Sequence, residues 1–256
     1  MRTFVTGLVA LLAAVSLASG AAAQEPLEAA RTLLAAWHQD PARIDRARTL
    51  LESAAATRAT PDVLVELARA WFLTGDVRAS PGPEKLAAYD RGREAAKRAV
   101  ALAPGNDHAH LWLAINTGRF AEARGMTAGL VLLPAIRESS DTVLRLNPRN
   151  VDGWILAGGI LANVPRLMGG DRTKAEAHFR RALELDPHKT SARMELAELY
   201  VETKRWTQAR RELQQLLDEP AATDLPRWTI SEVPRARTLL AEIAARDPRP
   251  APGQSP

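Results

Sequence analysis

Apolar residues recur at intervals of three and four along almost the whole chain, set in a background of Ala, Leu, Arg and Glu with few residues that favour strands. That period predicts helices and no sheet. A second, longer period runs through it. Val100-Ala-Leu-Ala-Pro104, Leu144-Arg-Leu-Asn-Pro148 and Leu183-Glu-Leu-Asp-Pro187 end three segments in the same way. Proline cannot continue a helix, so each ending marks a stop and a turn into another unit. The clearest unit contains Ala175, Phe179, Ala182 and Pro187. Its alanines let a neighbouring helix come close, and Phe179 fills the gap between helices on the same face.

The spacing A-x3-F-x2-A-x4-P of those four residues resembles the second half of a tetratricopeptide (TPR) repeat. The resemblance implies an all-α chain, a TPR-like α-solenoid of antiparallel helix pairs with about ten helices and interrupted repeats. After Pro187 the next unit is ungapped, with Leu196, Ala197 and Tyr200 on its first helix and Ala209 and Leu213 on its second. Before it, Trp154, Ala157, Gly158 and Leu161 supply a matching first helix, and about five extra residues around Pro165–Gly170 precede Ala175. The unit from His108 through Leu113 and Ala114 to Val143 and Pro148 carries about ten additional residues between its helices. An earlier unit starts at Thr60-Pro61, an N-cap followed by proline at the first helical position. It has Leu67, Ala68 and Trp71, a loop at Ser80-Pro-Gly-Pro83, then Ala99 and Pro104. Leu34, Ala35, Ala47, Leu51 and Ala54 form a poorer first unit, and Pro234–Ile243 reads as a helix capping the last open face.

The ends read differently from the middle. Arg2, the apolar run Leu8 to Leu17 and an A-x-A site at Ala21-Ala22-Ala23 have the order of a secretory signal over residues 1–23. The apolar run is shorter than the roughly 20 residues that span a membrane. Residues 24–247 form the predicted repeat domain, and the Pro-rich tail 248–256 is expected to be disordered. The chain contains no cysteine, hence no disulfide and no site for a lipid anchor. These features predict a periplasmic or secreted bacterial protein with no integral span once the signal is removed. Export excludes ATP-dependent chemistry and nuclear or cytosolic partners.

Charge adds little. Thirty-four basic residues, mostly Arg, stand against 30 acidic ones. The runs Arg43 to Arg48 and Arg205 to Arg211 alternate with Ala, Leu and acids at helical spacing, which makes solvated helix faces. No zinc spacing or aromatic-interleaved basic motif points to nucleic acid. Met168-Gly-Gly-Asp171 lacks the spacing of a nucleotide loop; its glycines permit a sharp turn, and Thr173 to Glu176 reads as a capping box. His108 and His110 are two apart on a helix and do not share a metal easily. No nucleophile elbow or isolated carboxylate pair argues for catalysis, so no enzyme activity and no cofactor is expected.

Two further likenesses narrow the family. The segment Pro165-Arg-Leu-Met-Gly-Gly-Asp-Arg-Thr-Lys-Ala-Glu-Ala-His-Phe179 resembles the central motif of the T-component of TRAP (tripartite ATP-independent periplasmic) transporters. The interrupted unit His108–Pro148 is similar to the regulator-of-microtubule-dynamics family, which has bacterial relatives of this layout. TPR proteins bind through the face lined by the first helix of each pair. The register puts Arg69, Phe72, His108, Leu111, Ile115, Arg119, Asn163, Met194, Glu198 and Glu202 there. That mixture suits an extended peptide or a protein helix. The leading expectation is an exported, non-enzymatic scaffold for another envelope protein; the alternative is an accessory subunit of a TRAP transporter.

Overall fold

A computed structural model describes residues 25–247, and every regular element among them is helical. The expected signal and the Pro-rich tail lie outside the described residues. Packing divides the chain into two compact units that meet in sequence at Leu133 and Pro134. The first holds α1 (residues 25–35), α2 (Ala42–Thr57), α3 (Pro61–Leu73), α4 (Pro83–Leu102), α5 (Asp107–Arg124) and the start of α6 (Met126–Leu146). The second holds the rest of α6, α7 (Val151–Asn163), α8 (Arg172–Leu185), α9 (Thr190–Glu202), α10 (Trp206–Leu217), the short α11 (Leu225–Arg227) and α12 (Val233–Arg246). A π-turn at Trp228–Glu232 joins the last two. Within the units, α2 to α5 pack on one another in order, as do α7 to α10, and α12 closes on α10 as the expected cap.

Local chemistry explains where the helices begin. Thr60 accepts a hydrogen bond from the Val63 amide, with Pro61 in the first turn of α3. Asn106 and Asn150, each two residues after a stop proline, cap α5 and α7 by accepting from the amides of Ala109 and Gly153 at 3.1 and 2.7 Å. The expected capping box at Thr173 and Glu176 does not form. Asp171 caps α8 instead, accepting from the amides of Thr173 and Lys174 at 3.0 and 3.1 Å, and Glu176 is released to bond neighbouring helices.

The insertions are absorbed in two ways. The additional residues between His108 and Pro148 make no loop; they lengthen α5 and α6 to 18 and 21 residues. The break between these helices is Gly125, at φ 100 and ψ 177, a conformation essentially reserved for glycine. By contrast, Pro165–Gly170 is a true turn, with a 3-10 segment at Arg166–Met168. A Cβ on Gly170 would overlap the Val164 carbonyl oxygen at 1.7 Å.

Both cores are built from small residues on the helix seams and large ones between them. In the first unit Ala47, Ala68, Ala96 and Ala99 are fully buried with Leu34, Leu51 and Leu64. In the second, Ala175, Ala182, Ala197 and Ala209 are fully buried with Phe179, Tyr200 and Leu213. Ala35 departs from its expected role: it is exposed at the end of α1, where the chain turns into a 3-10 segment and Trp37 is buried instead.

Replacing Ala182 with Leu should overpack its seam and cost about 1–3 kcal/mol. Ala177, exposed on the same helix, should accept Leu within about 0.5 kcal/mol. Thermal unfolding of the two variants checks this; equal losses would mean that the register is misplaced.

Candidate functional site

In the first unit two of the predicted binding residues, Phe72 and Arg119, meet at an aromatic pair. Phe72 on α3 and Trp112 on α5 lie with ring centroids 5.4 Å apart and planes tilted by 51°. The Arg119 guanidinium sits 5.8 Å from the Phe72 ring and is held by Asp76 at 3.3 Å and Glu122 at 3.0 Å. Asp76 also accepts from the Tyr89 hydroxyl at 2.5 Å; burial and that bond push the phenol well above its ordinary range. Arg69 pairs with Glu66 at 3.6 Å, and Glu66 with Arg31 of α1 at 3.1 Å. Ile115 is half-buried beside this group in sequence register, and His108 is exposed.

Some expected surface residues are closed off. Leu111 and Met194 are buried, at 2% and 8% exposure, and Phe72 retains only 7%. Successive first helices touch, α3 with α5 and α7 with α9, and this contact closes part of the face that the register left open. In the second unit Asn163 is exposed and donates to the Gly159 carbonyl. Glu198 is bound by Arg235 of α12 at 3.1 Å, and Glu202 by Arg172 of α8 at 3.2 Å. Both acids are therefore neutralised within their unit. Trp112 is the residue that the register reading missed. The signal was present, because His108, Trp112, Ile115 and Arg119 fall on one helical stripe.

Two carboxylates tie the second unit together. Glu176 of α8 accepts from Arg180 at 2.8 Å, from the Tyr200 hydroxyl of α9 at 2.9 Å, and from Arg205 at 2.7 Å. Arg205 in turn lies 4.2 Å over the Tyr200 ring. Burial disfavours the Glu176 charge, yet these donors outweigh it and hold the carboxyl below its usual range. Glu232, in the π-turn, is the opposite case. It is 4% exposed, one oxygen receives Arg227 at 3.0 Å, and the buried Thr190 hydroxyl of α9 lies against the carboxylate. Burial here prevails and raises the carboxyl.

Other candidate chemistry does not assemble. Asp171 takes the first amides of α8, the donors an anion at Gly169 and Gly170 would need. His110 contacts the Pro104 carbonyl at 3.0 Å, His178 stacks edge-on to Trp154 at 5.0 Å, and His188 pairs with Glu219 at 2.8 Å. Among the described residues no three His, Cys, Asp or Glu side chains are grouped to hold a metal, and no helix is long and apolar enough to cross a membrane. In the run Arg205 to Arg211, Arg205, Arg210 and Arg211 each take a carboxylate partner.

Residues 27–160 match the family model described as regulator of microtubule dynamics protein 1-3, and residues 166–228 match the tetratricopeptide repeat model. The chain is similar to a thermophilic TPR protein of Thermus thermophilus, at 25% identity and a TM-score of 0.66, over 86% of this chain and 99% of that one. It shares its fold with the pilF protein of Pseudomonas aeruginosa, at 16% identity and a TM-score of 0.51, over 91% of this chain and 95% of that one. Among curated proteins none matches.

The two carboxylates predict opposite pH dependences. Glu176 has a lowered folded pKa, so its stabilisation is present above the unfolded value and is lost as pH falls through the folded one. Glu176→Gln should cost about 1–3 kcal/mol at pH 7, and the gap to the parent should narrow in acid. Glu232 has a raised folded pKa, so its favourable contribution is complete below the unfolded value and is lost as pH rises through the folded one. Glu232→Gln should therefore gain on the parent between acid and neutral pH. Melting curves from pH 3.5 to 7.5 read both; parallel curves for parent and variants would contradict the two assignments.

Proposed function

The chain belongs to the regulator of microtubule dynamics protein 1-3 family, and on that premise we propose that it is an exported, non-enzymatic TPR scaffold that holds another envelope protein or peptide. The observation that carries this reading is the aromatic pair Phe72–Trp112 on the first helices α3 and α5 with Arg119 beside it, and Arg69 one turn before Phe72 in the register of α3. A partly open aromatic surface beside fixed guanidinium groups suits a peptide or helix carrying apolar and acidic side chains. Trp112, Ile115, Arg69 and His108 present the contact surface, while Arg119 is fixed by Asp76 and Glu122. Phe72 and Leu111 support it from below. In the second unit Asn163, Glu198 and Glu202 belong to the corresponding face, with Met194 beneath them. The two Glu residues need to release Arg235 and Arg172 before they engage a partner.

Export rests on the sequence: Arg2, the apolar run to Leu17 and the alanines before Gln24. Periplasmic fractionation and a mature N-terminus near Gln24 are the expected results; a cytosolic, uncleaved product would remove the envelope part of the proposal. The binding face is tested by placing a photo-crosslinking residue at Trp112, and separately at the outward Ala177, in the producing cells. One discrete adduct at Trp112 and none at Ala177 is the expected pattern. Adducts at Ala177 alone would refute the inner-face site, and an adduct with a transporter's solute-binding subunit would identify the chain as a TRAP accessory subunit.

A further inference from the structure

Each unit has a groove on the side opposite its first helices, walled by two second helices and floored by the first helix between them. In the first unit the walls are α2 and α4 over α3, and the groove encloses about 420 Å³. In the second the walls are α8 and α10 over α9, and the volume is about 380 Å³. The repeat register makes the two linings correspond. Leu67 stands where Leu196 does, Ala55 and Ala56 where Leu183 and Glu184 do, and Ala95 and Arg98 where Glu212 and Gln215 do. One groove therefore serves as the internal control for the other.

The second unit's groove is crossed by its own bonds. Arg193 holds Glu212 at 3.3 Å and Gln215 at 2.8 Å, and Arg211 holds Glu212 at 2.9 Å. The first unit's groove lacks these fillers. Its walls are the alanines Ala55, Ala56 and Ala95, and its floor is Leu67 with the half-buried Trp71. Arg91 is exposed on α4 and stacks 4.9 Å over the Trp71 ring, which also takes Arg48 at 4.7 Å. Among the described residues neither Arg91 nor Arg98 has a carboxylate within salt-bridge distance, and on the facing wall Glu52 has no cation. The other two acids of the groove are engaged elsewhere, Asp90 with Arg93 and Glu94 with Lys97, each at 2.7 Å.

We propose that the α2–α4 groove is a second docking site, separate from the inner face, for an amphipathic partner helix carrying acidic residues seven apart. Alanine walls let a helix backbone approach, by the same sterics that close the seams inside the protein. Arg91 and Arg98 are themselves seven apart, so they lie on one stripe about 10.5 Å apart along the axis. A helix lying parallel to α4 repeats that spacing. Its acidic edge faces the two guanidinium groups, and a basic residue on its other edge meets Glu52.

The test uses the full chain, labelled with nitrogen-15 and titrated with a synthetic two-heptad helical peptide bearing two Glu residues seven apart, beside a twin with Gln in their place. Saturable shifts are expected at Glu52, Ala56, Ala95 and Arg98. The Gln twin and the variants Arg91→Glu and Arg98→Glu should each bind about two- to tenfold more weakly, as loss of one or more charge pairs implies. Ala56→Glu, at an exposed position that copies Glu184 of the closed groove, should block the site without altering the helical spectrum. Arg69→Glu, on the inner face, should leave this binding unchanged. Equal binding by the two peptides, shifts confined to α3 and α5 near Trp112, or no saturation at millimolar peptide would each overturn the proposal, whereas the inner-face reading stands or falls on the Trp112 crosslink.

Discussion

Phe179 occupies the space that a side chain on Gly158 would need: a Cβ there would lie 2.5 Å from its ring. That contact between α7 and α8 expresses the constraint on which the rest of the molecule depends. Two helices approach this closely only where one of them carries a small side chain or none, and the neighbouring large residue then fills the gap. The first unit repeats the arrangement with polar and aromatic fillers. A Cβ on Gly92 would meet the Asn116 amide at 2.2 Å, and one on Gly75 would meet the Tyr89 ring at 2.4 Å. Asn116 is fully buried and donates to the carbonyls of Ala68 and Trp112, so it stitches α5 to α3 through the backbone. Removal of any of these small residues would force helices apart, and the surfaces set on them would be lost together.

On this steric frame each unit carries one polar knot that fixes its helices against rotation. In the first it is Asp76 with Tyr89 and Arg119; in the second it is Glu176 with Tyr200, Arg180 and Arg205. Both place a carboxylate under a tyrosine hydroxyl and beside a guanidinium, and both join elements distant in sequence. Such bonds are directional where apolar packing is not. The binding face proposed on the first helices would draw on that rigidity, because a partner loses less of its affinity to ordering when the surface is already set.

The two faces of the first unit then differ in chemistry. The first-helix side carries a half-buried Trp112 backed by Phe72 and guanidinium groups pinned by acids, whereas the α2–α4 groove has alanines, a tryptophan floor and two cations without acids of their own. The second unit has spent the equivalent positions on internal ion pairs, Arg193 and Arg211 with Glu212 on the outside, Arg235 with Glu198 on the inside. The same repeat therefore leaves equivalent positions unpaired or internally bridged according to a handful of side chains. Membership of the family and the TPR fold account for the frame, and those side chains account for the chemistry offered.

The amino-acid sequence by itself determined the helical period, the stop prolines at 104, 148 and 187, the seam residues Ala175, Phe179 and Ala182, and the cap at Thr60, because each depends on local sterics or on spacing along one helix. It also set the helical register from which Arg69, Ile115 and Arg119 were expected to share a face. Only the tertiary structure decided which of those positions stay open. Leu111 and Met194 were closed by contact between successive first helices, and Glu198 was claimed by Arg235, a residue 37 positions away. Glu176 lay within the pattern of a capping box, yet Asp171 took the cap and the carboxylate turned to Tyr200 and Arg205. A local pattern states which bonds a residue is able to make; which one it makes depends on the donors that distant helices bring within reach.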